Sequence, residues 1–276
     1  MGPKDAASLV VKFYHQLSRI DVNWRFEFET ASIGTFYNDD TKLRVHWPLA
    51  FTGYIHHDIA FGVVQTRDER PLFPASWADI SDGEHGLAYM HQGTLKHWVS
   101  AGTLVNLFAY GEDTEAMGAR RRRLNWPKGF DQRLRGQHNI NYAIYPHAGD
   151  WRTADVIGMA RSYGSPPMAY TTDVHAGTLP TNLEVLQFPD PEIVSTALKA
   201  VDGNVMCRLY SVGERNITVR AKTQRTHTRP LRSLQNEQIE QLTPFQIGTL
   251  TLEPDKKAAV SVENLAEFLS DDDGQV

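Results

Sequence analysis

"VNWRFEFE", residues 22–29, sets Val22, Trp24, Phe26 and Phe28 on one side of an extended backbone and Asn23, Arg25, Glu27 and Glu29 on the other. Successive strand side chains point to opposite faces, so this alternation predicts a strand with one face on an apolar core and one in water. "KLRVHW" (42–47) repeats it, with Leu43, Val45 and Trp47 against Lys42, Arg44 and His46. "NITVRAK" (216–222) does so again, with Ile217, Val219 and Ala221 against Thr218, Arg220 and Lys222. Half-solvated strands of this kind belong to antiparallel sheets. Helical spacing is confined to 151–163 and 262–270. The predicted fold class is therefore all-β, a sandwich of antiparallel sheets with few short helices.

A chain of 276 residues can bury one large core or two modest ones. "YGSPPMAYTTDVHAGTLPTN" (163–182), rich in Gly, Pro, Ser and Thr, reads as a connector. The strand-like runs "LEVLQF", "VMCRLYSV", "NITVRAKT" and "IGTLTLEP" follow it. The expected division is 1–172 and 173–276, with a frayed acidic tail at "SDDDGQV". Hydrophobic and charged fractions of 41% and 22% are those of an ordinary globular protein. A formal charge of -5 argues against a dedicated nucleic-acid binder. No apolar run approaches the roughly 20 residues of a membrane helix. The single cysteine, Cys207, excludes an intramolecular disulfide and is expected to be a buried, inert thiol. With no secretory signal in "MGPKDAASLV", the expected setting is cytoplasmic.

Chemistry-bearing side chains crowd into "NYAIYPHAGDW" (141–151). Pro146 is expected to interrupt the sheet ladder, and Asp150 to cap a helix starting at Trp151. Asp79, in "SWADISDGEHG", and Asp150 are the obvious carboxylates for glycosidic hydrolysis, but both read as turn residues bonded to nearby amides. Among the eleven histidines, His56 and His57 point to opposite strand faces. His91 and His97 have no ligand at zinc-like spacing. No nucleophile motif, phosphate loop or dinucleotide fingerprint is present. The basic loop "ARRRRLNWPKGFDQRLRG" carries Arg120, Arg121, Arg122, Arg123, Lys128, Arg133 and Arg135 around Asp131. It is either a solvated face or a contact for an anionic or oxygen-rich partner, and Trp126 within it either stacks on a sugar or anchors the loop.

Taken together, several stretches resemble a known family. "YAIYPHAGDWRTADVIGMA" (142–160) is similar to the "YALYPH-GDW-A" segment in the C-terminal region of glycoside hydrolase family 38 α-mannosidases. "SRIDVNWRFEF" (18–28), "TKLRVHWPLAF" (41–51) and "FGVVQTRDERPLFPASWADISDGEHGLAYM" (61–90) resemble family segments in the same order. "MCRLYSVGERNITVRA" (206–221) and "LTPFQIGTLTL" (242–252) resemble its closing strands, with Gln246 where Glu is usual.

The resemblance implies a supersandwich of the galactose-mutarotase type over 1–172 and a smaller β-sandwich over 173–276. It also implies that zinc and the aspartate nucleophile reside in a catalytic barrel of several hundred residues with no counterpart here. This chain is then expected to start inside the supersandwich and to expose unpaired sheet edges, which favour pairing with another chain, a second copy included. Its expected role is to support the barrel and lend Trp126, Arg133, Arg135 and His138 to the rim of a mannose-containing glycan site, without catalysis of its own. Pro146, His147, Asp150 and Trp151 are expected to fasten a turn. Two other readings stay open. A free-standing carbohydrate-binding module would use Trp77, Trp98 or Trp126 as exposed stacking rings. A mutarotase-like epimerase would pair His91 or His138 with Glu84.

Overall fold

The computed structural model describes residues 5–35, 38–66, 72–93, 96–112, 132–174, 176–177, 186–223 and 226–254. The chain divides into two compact units, Met1–Ile59 with Val64–Met168, and Ala60–Val63 with Ala169–Val276. In chain order the strands before the helix are β1 (Ala6–Phe13), β2 (Ile20–Ala31), β3 (Leu43–Pro48), β4 (Tyr54–Ile59), β5 (Gly62–Thr66), β6 (Trp77–Ser81), β7 (His85–His91), β8 (Lys96–Ser100), β9 (Thr103–Ala109) and β10 (Leu134–Ala148). One sheet has the order β1-β2-β10-β7-β6-β4-β5, and a second has β3-β9-β8.

The alternation at 22–29 becomes this architecture directly. Val22, Phe26 and Phe28 are buried while Arg25, Glu27 and Glu29 are exposed. Val22 joins Ile55, Ile80, Tyr89 and Tyr142 of the seven-stranded sheet and Leu104 of the three-stranded sheet in one core, with Trp47, Val99 and Phe108 packed against it. Tyr89 stacks on Tyr142 at 5.2 Å, and Trp47 meets Tyr142 edge-on at 5.9 Å. Each fully buried aliphatic or aromatic side chain stabilises such a core by about 1.5–3 kcal/mol.

The other face of the large sheet is not wholly in water. Helix α1 (Val156–Gly164) and the turn before it bury Trp151, Val156, Ala160 and Tyr163, with Trp151 against Trp77 at 5.7 Å. All five residues of β6 are consequently buried. Val156, Ala160 and Tyr163 recur at helical spacing and form the packed stripe. Pro166 and Pro167 follow the helix end and cannot extend it.

Two local expectations need correction. The helix cap is Asp155, not Asp150: Asp155 adopts a left-handed φ of 49° and accepts from the Gly158 amide at 3.1 Å. Four residues of turn separate Trp151 from the helix, so capping falls where helical backbone actually begins. Pro146 lies inside β10 opposite Leu87 and does not end the strand. Pairing with β2 has already stopped at Ile144, so Pro146 occupies a stretch with a neighbouring strand on one side only.

The second unit contains β11 (Leu186–Gln187), β12 (Ile193–Val201), β13 (Asn204–Ser211), β14 (Ile217–Thr218), β15 (Lys222–Thr223), β16 (Thr226–Thr228), β17 (Arg232–Ser233), β18 (Gln241–Leu242) and β19 (Ile247–Pro254). Its main sheet runs β12-β13-β19-β16, with β17 also on β19. Cys207, Leu209, Leu250 and Leu252 point inward with Ile217, Leu231 and Leu242; the thiol is fully buried, as expected. "NITVRAK" keeps its alternation of burial but is no continuous strand, because β14 pairs with β18 and β15 with β11. Residues 165–174 have no regular structure and are exposed. Residues 262–270 lie outside the described residues. Among the described residues no helix is long and apolar enough to cross a membrane.

Candidate functional site

Asp79 is not a turn residue. It sits in the middle of β6, fully buried, and His147 of β10 reaches it across β7. His147 Nε2 lies 2.7 Å from Asp79 Oδ1, with the two side chains 2% and 0% exposed. Ser81 donates its hydroxyl to Asp79 Oδ2 at 2.8 Å. The span is possible because the residue between them is Gly86: a Cβ there would lie 2.0 Å from the His147 ring. His147 Nδ1 faces the Ala148 carbonyl at 3.3 Å, so both ring nitrogens meet acceptors, the arrangement an imidazolium satisfies. Burial pushes the His147 pKa down, but the hydrogen bond and charge of Asp79, with smaller help from the Ala148 carbonyl and Asp150, raise it overall. A pair this enclosed cannot pass a proton to a substrate. It ties the end of β10 to β6.

Asp150 holds the following turn, accepting from the Thr153 amide and hydroxyl, each at 2.9 Å. Burial opposes its ionisation, yet the Thr153 bonds and the Arg152 charge keep the carboxyl below the usual carboxylate range. Trp151 is buried between Trp77 and His56, with the Arg152 guanidinium 4.2 Å from its ring.

The residues expected at a glycan rim are placed only in part. Trp126, Arg120, Arg121, Arg122, Arg123, Lys128 and Asp131 lie outside the described residues. Arg133 precedes β10, and Arg135 is exposed within it. His138 Nε2 approaches the Arg135 carbonyl at 3.0 Å, and its ring tilts on Phe28 at 5.7 Å. Nine residues of strand, roughly 30 Å, separate His138 from His147, so rim and turn are different places. Glu84 lies in the turn before β7 and His91 at the far end of that strand, roughly 20 Å away. That separation removes the His91–Glu84 pairing, and His138 is farther still. Trp77 is buried and offers no stacking face; Trp98 is half-buried, with Lys96 and Arg44 over its ring.

Two histidines that looked unrelated do meet. The rings of His91 and His97 are 4.8 Å apart, both buried. Trp47 Nε1 donates to Asn106 Oδ1 at 2.9 Å, leaving the Asn106 amide nitrogen to donate to His97 Nδ1 at 2.6 Å. Burial holds the His91 pKa below its ordinary value, against the pull of Asp58. Among the described residues no group of three His, Cys, Asp or Glu side chains is placed to hold a metal ion.

The open polar site lies elsewhere on the large sheet. A cleft of about 250 Å3 is floored by the cross-strand neighbours Val10, Asn23 and Asn141 and walled by Tyr14, Arg19 and Tyr163. Asn23 Nδ2 donates to Asn141 Oδ1. Arg19 binds Asp21 through Nε at 2.6 Å and Ser162 through Nη1 at 3.1 Å, with its guanidinium 5.1 Å from the Tyr163 ring. Tyr14 donates to Asp21 Oδ2 at 2.7 Å, and that bond, with burial, raises its pKa. Lys12, on the cleft wall, adds a cation. The cleft is smaller than the pockets that take drug-sized ligands, and it presents amides, a charged pair and tyrosine faces. In the sequence Asp21 and Asn23 are merely the polar half of an alternating strand, and Asn141 and Tyr163 lie far from them along the chain. What assembles them is the register of β1, β2 and β10 and the helix folded over it.

Among the solved structures similar to this chain are two from one bacterium. One is a protein in glycosyl hydrolase family 38 from Enterococcus faecalis, with TM-score 0.68 and 19% identity over 89% of this chain and 29% of that one. The other is an alpha-mannosidase from Enterococcus faecalis V583, with TM-score 0.68 and 18% identity over 89% of this chain and 28% of that one. No family model matches the chain, and no curated protein matches it. The chain thus has the fold of a β portion of these proteins and spans less than a third of their length.

Proposed function

We propose that this chain is the C-terminal β region of an α-mannosidase-type glycoside hydrolase, a non-catalytic support for a barrel that performs the chemistry. The carrying observation is the asymmetric match: 89% of this chain against 29% of a glycosyl hydrolase family 38 protein. The residues agree with that reading. The carboxylate–histidine pair is sealed in the sheet stack, and zinc, together with the nucleophile, belongs to the barrel. The partner is that barrel, and the glycan contacts are the rim at Arg133, Arg135 and His138 and the cleft at Asn23 and Asn141.

Association tests the reading. The chain is purified alone and with the polypeptide encoded immediately upstream, in the same frame or a neighbouring one, and both samples are sedimented. A stable one-to-one complex, or one continuous polypeptide, with a zinc-binding barrel is the expected result. An upstream product without a barrel, or two species that sediment independently, would contradict it.

A further inference from the structure

On the outer face of the second unit's main sheet, Arg208 of β13 and Arg232 of β17 both pair in register with Thr249 of β19. Residues opposite one another across a ladder share a face. The inward face is fixed by Cys207, Leu209, Leu250 and Leu252 in the core, so Arg208, Thr249 and Arg232 form an outward row. In the next row Met206 lies opposite Thr251, whose carbonyl accepts from the Arg229 amide at 2.9 Å. These residues line a groove of about 460 Å3.

Its charge is unbalanced. Glu253 pairs with Arg229, and Arg232 gives one guanidinium hydrogen to the Asn236 carbonyl at 2.6 Å. Neither Arg208 nor Arg232 has a carboxylate partner among the described residues. Arg208 and Arg232 stand two strand spacings apart, roughly 10 Å, on either side of Thr249, so one anion can lie between them. In a chain with a net charge of -5, the local excess of cation is a specific feature of this face. A guanidinium offers a rigid fork matched to the oxygens of a phosphoryl group. Two such forks over the Thr249 and Thr251 hydroxyls supply donors from several sides, which a tetrahedral oxyanion uses more fully than a planar carboxylate.

We propose that this groove binds the phosphate group of a small molecule, held by Arg208 and Arg232 over Thr249. The test is calorimetric titration of the whole chain with inorganic phosphate and, separately, with a hexose 6-phosphate. Saturable binding is expected in at least one arm, weakened about tenfold or more by Arg208→Gln and by Arg232→Gln. Thr249→Val, which keeps both charges and the shape of the outer face, is expected to weaken it about threefold. Equal affinity in the two arms assigns free phosphate; tighter binding of the hexose phosphate assigns a phosphorylated sugar. Absence of saturable binding in both arms overturns the proposal, as does binding that the folded arginine variants and Thr249→Val all leave unchanged.

Discussion

Replacing His147 with alanine lowers the melting temperature by about 10 °C. Removing one partner of a buried, hydrogen-bonded charge pair costs about 3–5 kcal/mol, because the remaining charge stays buried without compensation. For a domain of 150–250 residues each kcal/mol moves the midpoint by about 2–4 °C. Asp79 is fully buried between β4 and β7, so water cannot replace the imidazolium without opening the sheet. His147→Gln, which can still donate to the carboxylate, loses less. The pH dependence has a definite sign. The folded His147 pKa lies above its ordinary value of about 6.5, so its stabilisation is complete below that pH and falls away as pH rises through the folded value. Thermal melts between pH 6 and 9 are expected to show this decline in the parent chain and a flatter profile in His147→Gln. Equal slopes would mean that the imidazole does not titrate with folding.

Gly86→Ala is expected to cost nearly as much by another route. The added methyl would stand 2.0 Å from His147 Cε1 and less than 3 Å from both ring nitrogens. The ring must swing away, and Asp79 loses its partner. Denaturant melts of the two single variants and the double variant separate this from a generic strand effect. Because removal of the ring also removes the clash, the double variant should be about as stable as His147→Ala alone, with a coupling energy of several kcal/mol. Additive losses would show that Gly86 matters for something other than room above β7.

How much of this was legible beforehand follows from the range of the forces. Alternation at 22–29 is local, and it named the core face of β2 correctly down to Phe28. The all-β class follows from such repeats. Asp79 and His147 are 68 positions apart. Their meeting depends on a glycine in a third strand, so each looked like a turn residue in its own neighbourhood. The helix cap lies at Asp155, five residues beyond the Asp150 that the sequence suggests, because both aspartates precede apolar periodic residues and only backbone conformation distinguishes them. The cleft is hidden for a related reason: Asp21 and Asn23 lie on the polar side of β2 with Arg19 just before it, and nothing local shows that Asn141 sits beside Asn23 in the next strand or that Tyr163 packs over them. Trp77 illustrates the converse, since an aromatic suited to stacking on sugars is just as suited to a core.

Hydrolysis of an aryl α-mannoside tests the central claim most directly, measured for the purified chain alone and for the chain joined to its upstream polypeptide. The account predicts no turnover above the uncatalysed rate from the chain by itself, and zinc-dependent turnover from the joined protein. Turnover by the isolated chain that disappears on Asp79→Asn, in a variant that still folds, would contradict it.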